Sequence, residues 1–447
     1  MKAFQASYEL LQKYKKELIL AILICISLLC VIFLQELLFF IERIIVIPAE
    51  YYNIHGPIYP ISLGILIISP IIYAFLYKFG FKITSFQFPE KIQLRYLLLL
   101  HTVVSFLALW RGGDKWVGSD LPTYFSMVNF IVQEFDLVIW SFFNNPRGLD
   151  RYLVGEPLGY FLLAAIVAIG LPIHFISVVS IIFSLINLSL TYKLLLQQFE
   201  ETTASTGALI YIFSPVILKF EADLLRTLFA ITFGLLALYF WKRKKVLTAL
   251  FFALSLATHI VTACLFLISL LYLAKEERCL RKFTLIALLG FLISLLPIWL
   301  IIDPNLIYFV TIGRIQRYID AGTFFNQSGR HPALYPLWTD ALIIPSIRIV
   351  TYIGLFLVYF AFNYRDIWYR RYNISKPHWS IWVVVTASFI VLGYIFPYFR
   401  PERWALYLGF ALMFLIIPSL KQEDKTLFLI FLIGCFVAFA AHIPVAY

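Results

Sequence analysis

Long apolar runs separated by short polar or basic breaks set the pattern of this chain. Runs at residues 18–41, 58–77, 96–110, 158–171, 173–190, 204–218, 224–241, 283–302, 342–362, 379–399, 404–420 and 427–442 read as helices of membrane type. The first follows Lys13, Lys15 and Lys16, yet it is long enough to span and lacks a small-residue cleavage site, so it reads as a retained helix and not a signal peptide. The second is interrupted by Pro60 and Pro70. Residues 246–274 lie between two basic clusters, 242–245 and 275–282, so both ends of that run belong on one side. The run therefore reads as two short helices meeting near Thr258 and His259. Residues 121–151 mix Phe125, Val128, Phe130, Ile131 and Phe135 with Glu134 and Asp136 at amphipathic spacing. Two acids in mid-membrane are costly, so this segment is expected to lie in the interface.

The pattern predicts an all-α, polytopic integral membrane protein of about 11 to 13 transmembrane helices. It forms a single transmembrane domain over residues 1–447. A first extracytoplasmic loop, 111–156, carries the interfacial helix, and a long extracytoplasmic loop covers 303–340. Aromatic residues interleaved with Arg314, Arg317, Asp320, Arg330 and His331 argue for function in the second loop, not disorder.

Composition sharpens this picture. The chain of 447 residues is 62% hydrophobic and 14% charged, where soluble domains carry about 25% charged residues. A net charge of +11 raises the question of nucleic acid, but the cations cluster between apolar runs. They report topology and no nucleic-acid partner. Lys78 to Arg95, Lys242 to Lys245, Lys275 to Lys282 and the segment 364–378 mark the cytoplasmic side. The five cysteines show no paired or metal-ligand spacing and read as small buried hydrophobes.

With that orientation the extracytoplasmic side collects Asp114, Asp120, Glu156, Glu221, Asp223, Arg226, His259, Arg314, Arg317, Arg400 and Arg403. Asp120 stands out, since it ends the polar, glycine-bearing stretch 111–120 just before a helix start at Leu121 and Pro122. It can cap that helix, and it can also take a proton from a hydroxyl or bind a divalent cation. Arginines suit bidentate capture of phosphate. Arg400 and Arg403 can equally snorkel at a helix end beside Glu402. Carboxylates and arginines at a membrane surface together fit a lipid-phosphate substrate.

Gly118-Ser119-Asp120 with Tyr124, followed by Glu156-Pro157-Leu158-Gly159-Tyr160, resembles the acidic first extracytoplasmic loop and following span of the GT-C superfamily of membrane glycosyltransferases. Ser214-Pro215, the stretch from Glu221 through Asp223 to Arg226, the lysine cluster at 242–245 and Leu256 to His259 resemble a run in its archaeal and bacterial members. They are also similar to exopolysaccharide and O-antigen polymerase-type proteins. The resemblance implies a GT-C-like fold and transfer of a sugar from a polyprenyl-phosphate-linked donor to a glycan, lipid or protein acceptor. The protein would be multi-pass in the cell membrane, with its active site on the extracytoplasmic face. It implies Asp120 as general base or metal-organising carboxylate, Glu156 or Asp223 as a second acid, and Arg226 and Arg403, joined by Arg400, Arg314 and Arg317, on the donor phosphate. Tyr124 belongs to the same motif. His259 would sit near the leaving group or satisfy a helix break. The only cofactor implied is a divalent cation, Mg or Mn, at Asp120, although the first loop lacks the tandem Asp-Glu pair that many GT-C enzymes carry. Two alternatives stand beside single-sugar transfer: a polysaccharide polymerase acting on lipid-linked oligosaccharide, and a transporter or flippase of lipid-linked sugar.

Overall fold

A computed structural model describes residues 71, 74, 92–110, 121–138, 157–301, 344–365, 367, 378–395 and 400–420. The expected runs at 18–41, 58–77 and 427–442 lie outside these residues apart from 71 and 74, as do the polar segments 111–120 and 303–340. The described residues form α1 (Leu94–Leu109), α2 (Leu121–Gln133), α3 (Pro157–Ala168), α4 (Phe175–Leu196), α5 (Glu201–Ile212), α6 (Pro215–Ala222) and α7 (Leu225–Phe240). They continue as α8 (Lys245–Thr258), α9 (Ile260–Glu276), α10 (Leu280–Ile301), α11 (Ile344–Phe362), α12 (His378–Ile395) and α13 (Pro401–Leu420). No strand occurs among them, and the architecture is that of an all-α polytopic membrane protein.

Two of these helices, α4 and α13, are by themselves long and apolar enough to cross a membrane. A third candidate departs from the expected continuous run at 204–218. That run is split into α5 and α6 with a bend of 53°. The cause is Pro215, which lacks an amide hydrogen and forces Ser214 into an extended conformation at ψ 123°. Proline is well placed at the start of the new helix, so the break costs α6 little.

The break expected near Thr258 is present. His259 is extended, at φ −157° and ψ 106°, and serves both as the last cap of α8 and the first cap of α9. At 14 and 17 residues, each arm is shorter than the roughly 20 residues that a bilayer core requires. At the far end of the pair, Lys245 Nζ lies 3.8 Å from Glu277 Oε2. The start of α8 and the end of α9 are thus side by side, and the two basic clusters share one end of the molecule.

α2 has the amphipathic character expected of it. Leu121, Tyr124, Val128 and Ile131 are buried at spacings of three and four, while Pro122, Thr123, Asn129 and Phe130 are exposed. The buried stripe packs on α3 with Tyr160 and Leu163 and reaches Leu225 and Phe229 of α7.

The main core is built from α1 and from α4 through α13. Where apolar side chains meet lipid of similar polarity, close backbone approach and small polar residues hold helices together. Ser255 Oγ donates to Ala230 O at 2.9 Å, tying α8 to α7, and Trp382 Nε1 donates to Ser269 Oγ at 2.7 Å, tying α12 to α9. Gly234 lets α7 approach α9 so closely that a Cβ there would fall 2.1 Å from Phe266 Cδ2. Gly234→Ala is therefore expected to destabilise the protein by about 1–3 kcal/mol, seen as a lower melting temperature in detergent.

Candidate functional site

The candidate site is organised by the junction of α6 and α7. α6 ends at Ala222, Asp223 caps it, and α7 begins at Leu225, so Glu221, Asp223 and Arg226 fall within six residues of backbone that changes direction. Asp223 is 1% exposed, and its carboxylate pairs with the ammonium of Lys219 one turn earlier. The lysine compensates a buried charge and stands at a helix C-terminus, where a cation is favoured.

Arg226 occupies the first turn of α7, where the helix dipole disfavours a cation. Helix stability does not explain its position. Its guanidinium carbon lies 4.8 Å from the centre of the Tyr160 ring, and Tyr160 in turn lies 5.7 Å from Tyr124. The first described turns of α2 and α3 and the first turn of α7 thus meet around one arginine. Gly159 leaves the room for it, since a Cβ there would fall 2.7 Å from Arg226 Cγ. Gly159→Ala is expected to displace the guanidinium and lower activity roughly 10- to 100-fold with little change in melting temperature, read as initial rate at matched protein level.

On the other side of α6, Phe220 lies 6.2 Å, centre to centre, from Tyr407 of α13. Tyr407 reaches the helix break: its hydroxyl is 2.9 Å from Thr262 Oγ1 and 3.5 Å from His259 Nδ1. His259 Nδ1 also accepts from the Thr262 amide at 3.3 Å and lies 3.0 Å from the Thr262 hydroxyl. Accepting at Nδ1 leaves a neutral imidazole with its proton on Nε2. His259 therefore caps α9, which is the helix-break role of the two expected for it. Arg403 sits one turn before Tyr407 on α13, and Arg400 precedes that helix with φ 50°, in the left-handed region. Arg400 is exposed and Arg403 half-buried.

Beneath α6 lies a contact that the sequence pattern did not reveal. His101 Nε2 of α1 is 3.0 Å from Glu221 Oε1, with both side chains 1% exposed. The two are close without being aligned as a hydrogen bond, since neither Glu221 oxygen has a hydrogen-bond partner. His101 Nε2 is also 2.8 Å from Ser184 Oγ, which lies 3.1 Å from the Tyr211 hydroxyl. Sequence reasoning placed Glu221 on the extracytoplasmic side and gave it no partner. The structure buries it beside His101 of α1.

A family model described as the EpsG family matches residues 97–446. The chain belongs to the EpsG family. This agrees with the resemblance to exopolysaccharide polymerase-type proteins and does not select the GT-C superfamily. No curated protein and no solved structure matches the chain.

In this EpsG-family membrane protein, the fold brings Tyr124 to Arg226 through Tyr160, sets Asp223 at the end of α6, and joins His259 to Phe220 of α6 through Tyr407, whose helix also carries Arg403. Asp120, Glu156, Arg314 and Arg317 lie outside the described residues. In sequence, Asp120 and Glu156 directly precede Leu121 of α2 and Pro157 of α3. Among the described residues no group of three or more His, Cys, Asp or Glu side chains could hold a metal ion. Gly159, Tyr160 and Tyr407 were not singled out as site residues from sequence. The Gly159-Tyr160 pair stood inside a quoted motif, but only the fold shows it against Arg226.

Proposed function

We propose that this EpsG-family protein is a membrane polysaccharide polymerase that transfers glycan from a polyprenyl-phosphate- or diphosphate-linked oligosaccharide to a growing chain at the extracytoplasmic surface. What carries the reading is the family match across residues 97–446. The geometry at α6 and α7 supports it chemically. Arg226 is held by Tyr160 and Gly159 at the start of α7, where amide groups also point outward, and an arginine at a helix N-terminus suits a phosphate.

In this reaction an acceptor hydroxyl attacks the anomeric carbon of the lipid-linked glycan. A new glycosidic C–O bond forms as the bond from that carbon to the phosphate oxygen breaks. The polyprenyl phosphate or diphosphate leaves with the bonding electron pair, and the hydroxyl proton passes to a carboxylate. We assign the base to Asp120, with Glu156 or Asp223 as a second acid, and leaving-group stabilisation to Arg226 with Arg400, Arg403, Arg314 and Arg317. Asp120 is also the carboxylate assigned to a divalent cation, Mg or Mn, should the reaction use one.

The test is release of polyprenyl phosphate or diphosphate from a radiolabelled lipid-linked oligosaccharide in membranes bearing wild type or Asp120→Asn at matched protein level. Release coupled to glycan transfer, lost in the variant, is the expected result. Movement of the intact lipid-linked glycan across the membrane with no bond cleaved would favour a flippase. An Asp120→Asn protein as active as wild type would remove Asp120 from the site.

A further inference from the structure

The place of α6 is not inherited from the helices on either side of it. Ser214 before it is extended, at ψ 123°, and Leu224 after it, at φ −111° and ψ 53°, is not helical. The direction of Arg226 at the start of α7 must therefore be set by side-chain contacts. One buried polar cluster makes such contacts on both sides of the stretch from Asp223 to Arg226. On the near side, Glu221 Oε1 lies 3.0 Å from His101 Nε2 of α1. On the far side, Asn187 Nδ2 of α4 donates to the carbonyl of Leu228, in the first turn of α7, at 3.4 Å. The two grips are joined. His101 Nε2 is 2.8 Å from Ser184 Oγ, one turn before Asn187 on α4. The Tyr211 hydroxyl of α5 meets Ser184 Oγ at 3.1 Å and donates to the Ser184 carbonyl at 3.3 Å, and it faces Asn187 and Glu221 as well. All five side chains are buried.

Polar and ionisable groups inside a lipid-embedded bundle are expensive, and an apolar set of similar volume would pack there at lower cost. What the cluster supplies is a fixed arrangement, because its polar contacts are met in only one register of the helices that share them. We infer that His101, Asn187 and Glu221 are positioning residues for the transfer reaction. With Ser184 and Tyr211 they bracket the α6 and α7 junction and hold Arg226 in the direction that a phosphate contact requires. The inference rests on the polymerase reading, in which Arg226 stabilises the leaving phosphate, and the three residues act through that arginine.

Asn187→Leu is the variant that separates positioning from folding. It strands no group, since the Leu228 carbonyl still accepts from Thr232 Oγ1 at 3.0 Å and the Tyr211 hydroxyl still donates to the Ser184 carbonyl. The experiment uses the purified full-length protein in liposomes with a radiolabelled polyprenyl-diphosphate-linked oligosaccharide, and melting in detergent is followed in parallel. Asn187→Leu is expected to melt at or above the wild-type temperature and yet to lose about tenfold in kcat, with KM within about twofold. Glu221→Leu should lose kcat to a similar degree. Glu221→Gln, which keeps the length and an oxygen beside His101, should restore most of it. In an Arg226→Ala background, Asn187→Leu should change the rate by less than about twofold, because the group it positions is gone. A further loss of about tenfold in that background, or wild-type kcat in Asn187→Leu at any melting temperature, would overturn the inference and leave the polymerase reading intact. Wild-type protein that forms no glycosidic bond would instead fail the polymerase reading, and the inference would fall with it.

Discussion

Arg226→Ala is expected to lower glycan transfer by about 100-fold while the protein still reaches the membrane at normal level. A charge-assisted hydrogen bond is worth about 1.5–3 kcal/mol, and each 1.4 kcal/mol is tenfold in rate. Arg226 is suited to make two such bonds at once, because Tyr160 under its guanidinium and Gly159 against its stem hold the fork in one orientation. Arg226→Lys keeps the charge but loses the fork and the stacking, so it should recover only part of the activity and remain about tenfold below wild type. Initial rates in membranes at matched protein level separate the three. An Arg226→Ala protein that keeps half or more of its activity would detach the α6 and α7 junction from the chemistry.

The second large effect concerns stability. His101→Leu should destabilise the protein by about 1–3 kcal/mol, because it removes the polar side chain nearest to the buried Glu221 and leaves the Ser184 and Tyr211 hydroxyls without it. Glu221→Leu should cost less, since His101 keeps its contact with Ser184 at 2.8 Å. Replacing both residues by leucine removes the polar pair whole, and its stability should lie well above that of His101→Leu alone. Melting temperatures of the four proteins in one detergent give the double-mutant cycle. Strictly additive losses would show that the two side chains do not interact.

These effects mark where sequence reasoning reached its limit. The helix break at His259 was legible because two basic clusters flank one apolar run, and charge cannot be left on both sides of a single crossing. The bend at Ser214 was not foreseen, although Pro215 stood in the expected run. A mean of apolar residues over 204–218 hides a single missing amide, and it is the missing amide that splits the helix. The amphipathic stripe of α2 was readable from spacing alone. His101 was invisible as a partner: it sits in the apolar run of α1 with nothing local to mark it, and its contact comes from distant α6.

The candidate site follows the same division. Residue types named the arginines and carboxylates, since few charged groups occur in so apolar a chain. Which of them meet depends on helix ends that only the fold brings together. Asp223 carries its own lysine on α6, and His259 caps a helix, so both have structural work that residue type alone did not show. Arg226 leads the predictions because it stands at the start of α7 against Tyr160 and Gly159 of α3.

The measurement that bears most directly on the account is product size. Purified wild-type protein in liposomes, given a single polyprenyl-diphosphate-linked oligosaccharide, should produce a ladder of glycans spaced by one oligosaccharide repeat, with one lipid carrier released per bond formed. Products longer by one monosaccharide only would contradict polymerisation and return the protein to single-sugar transfer. No new glycosidic bond from any lipid-linked oligosaccharide supplied would contradict the enzyme itself.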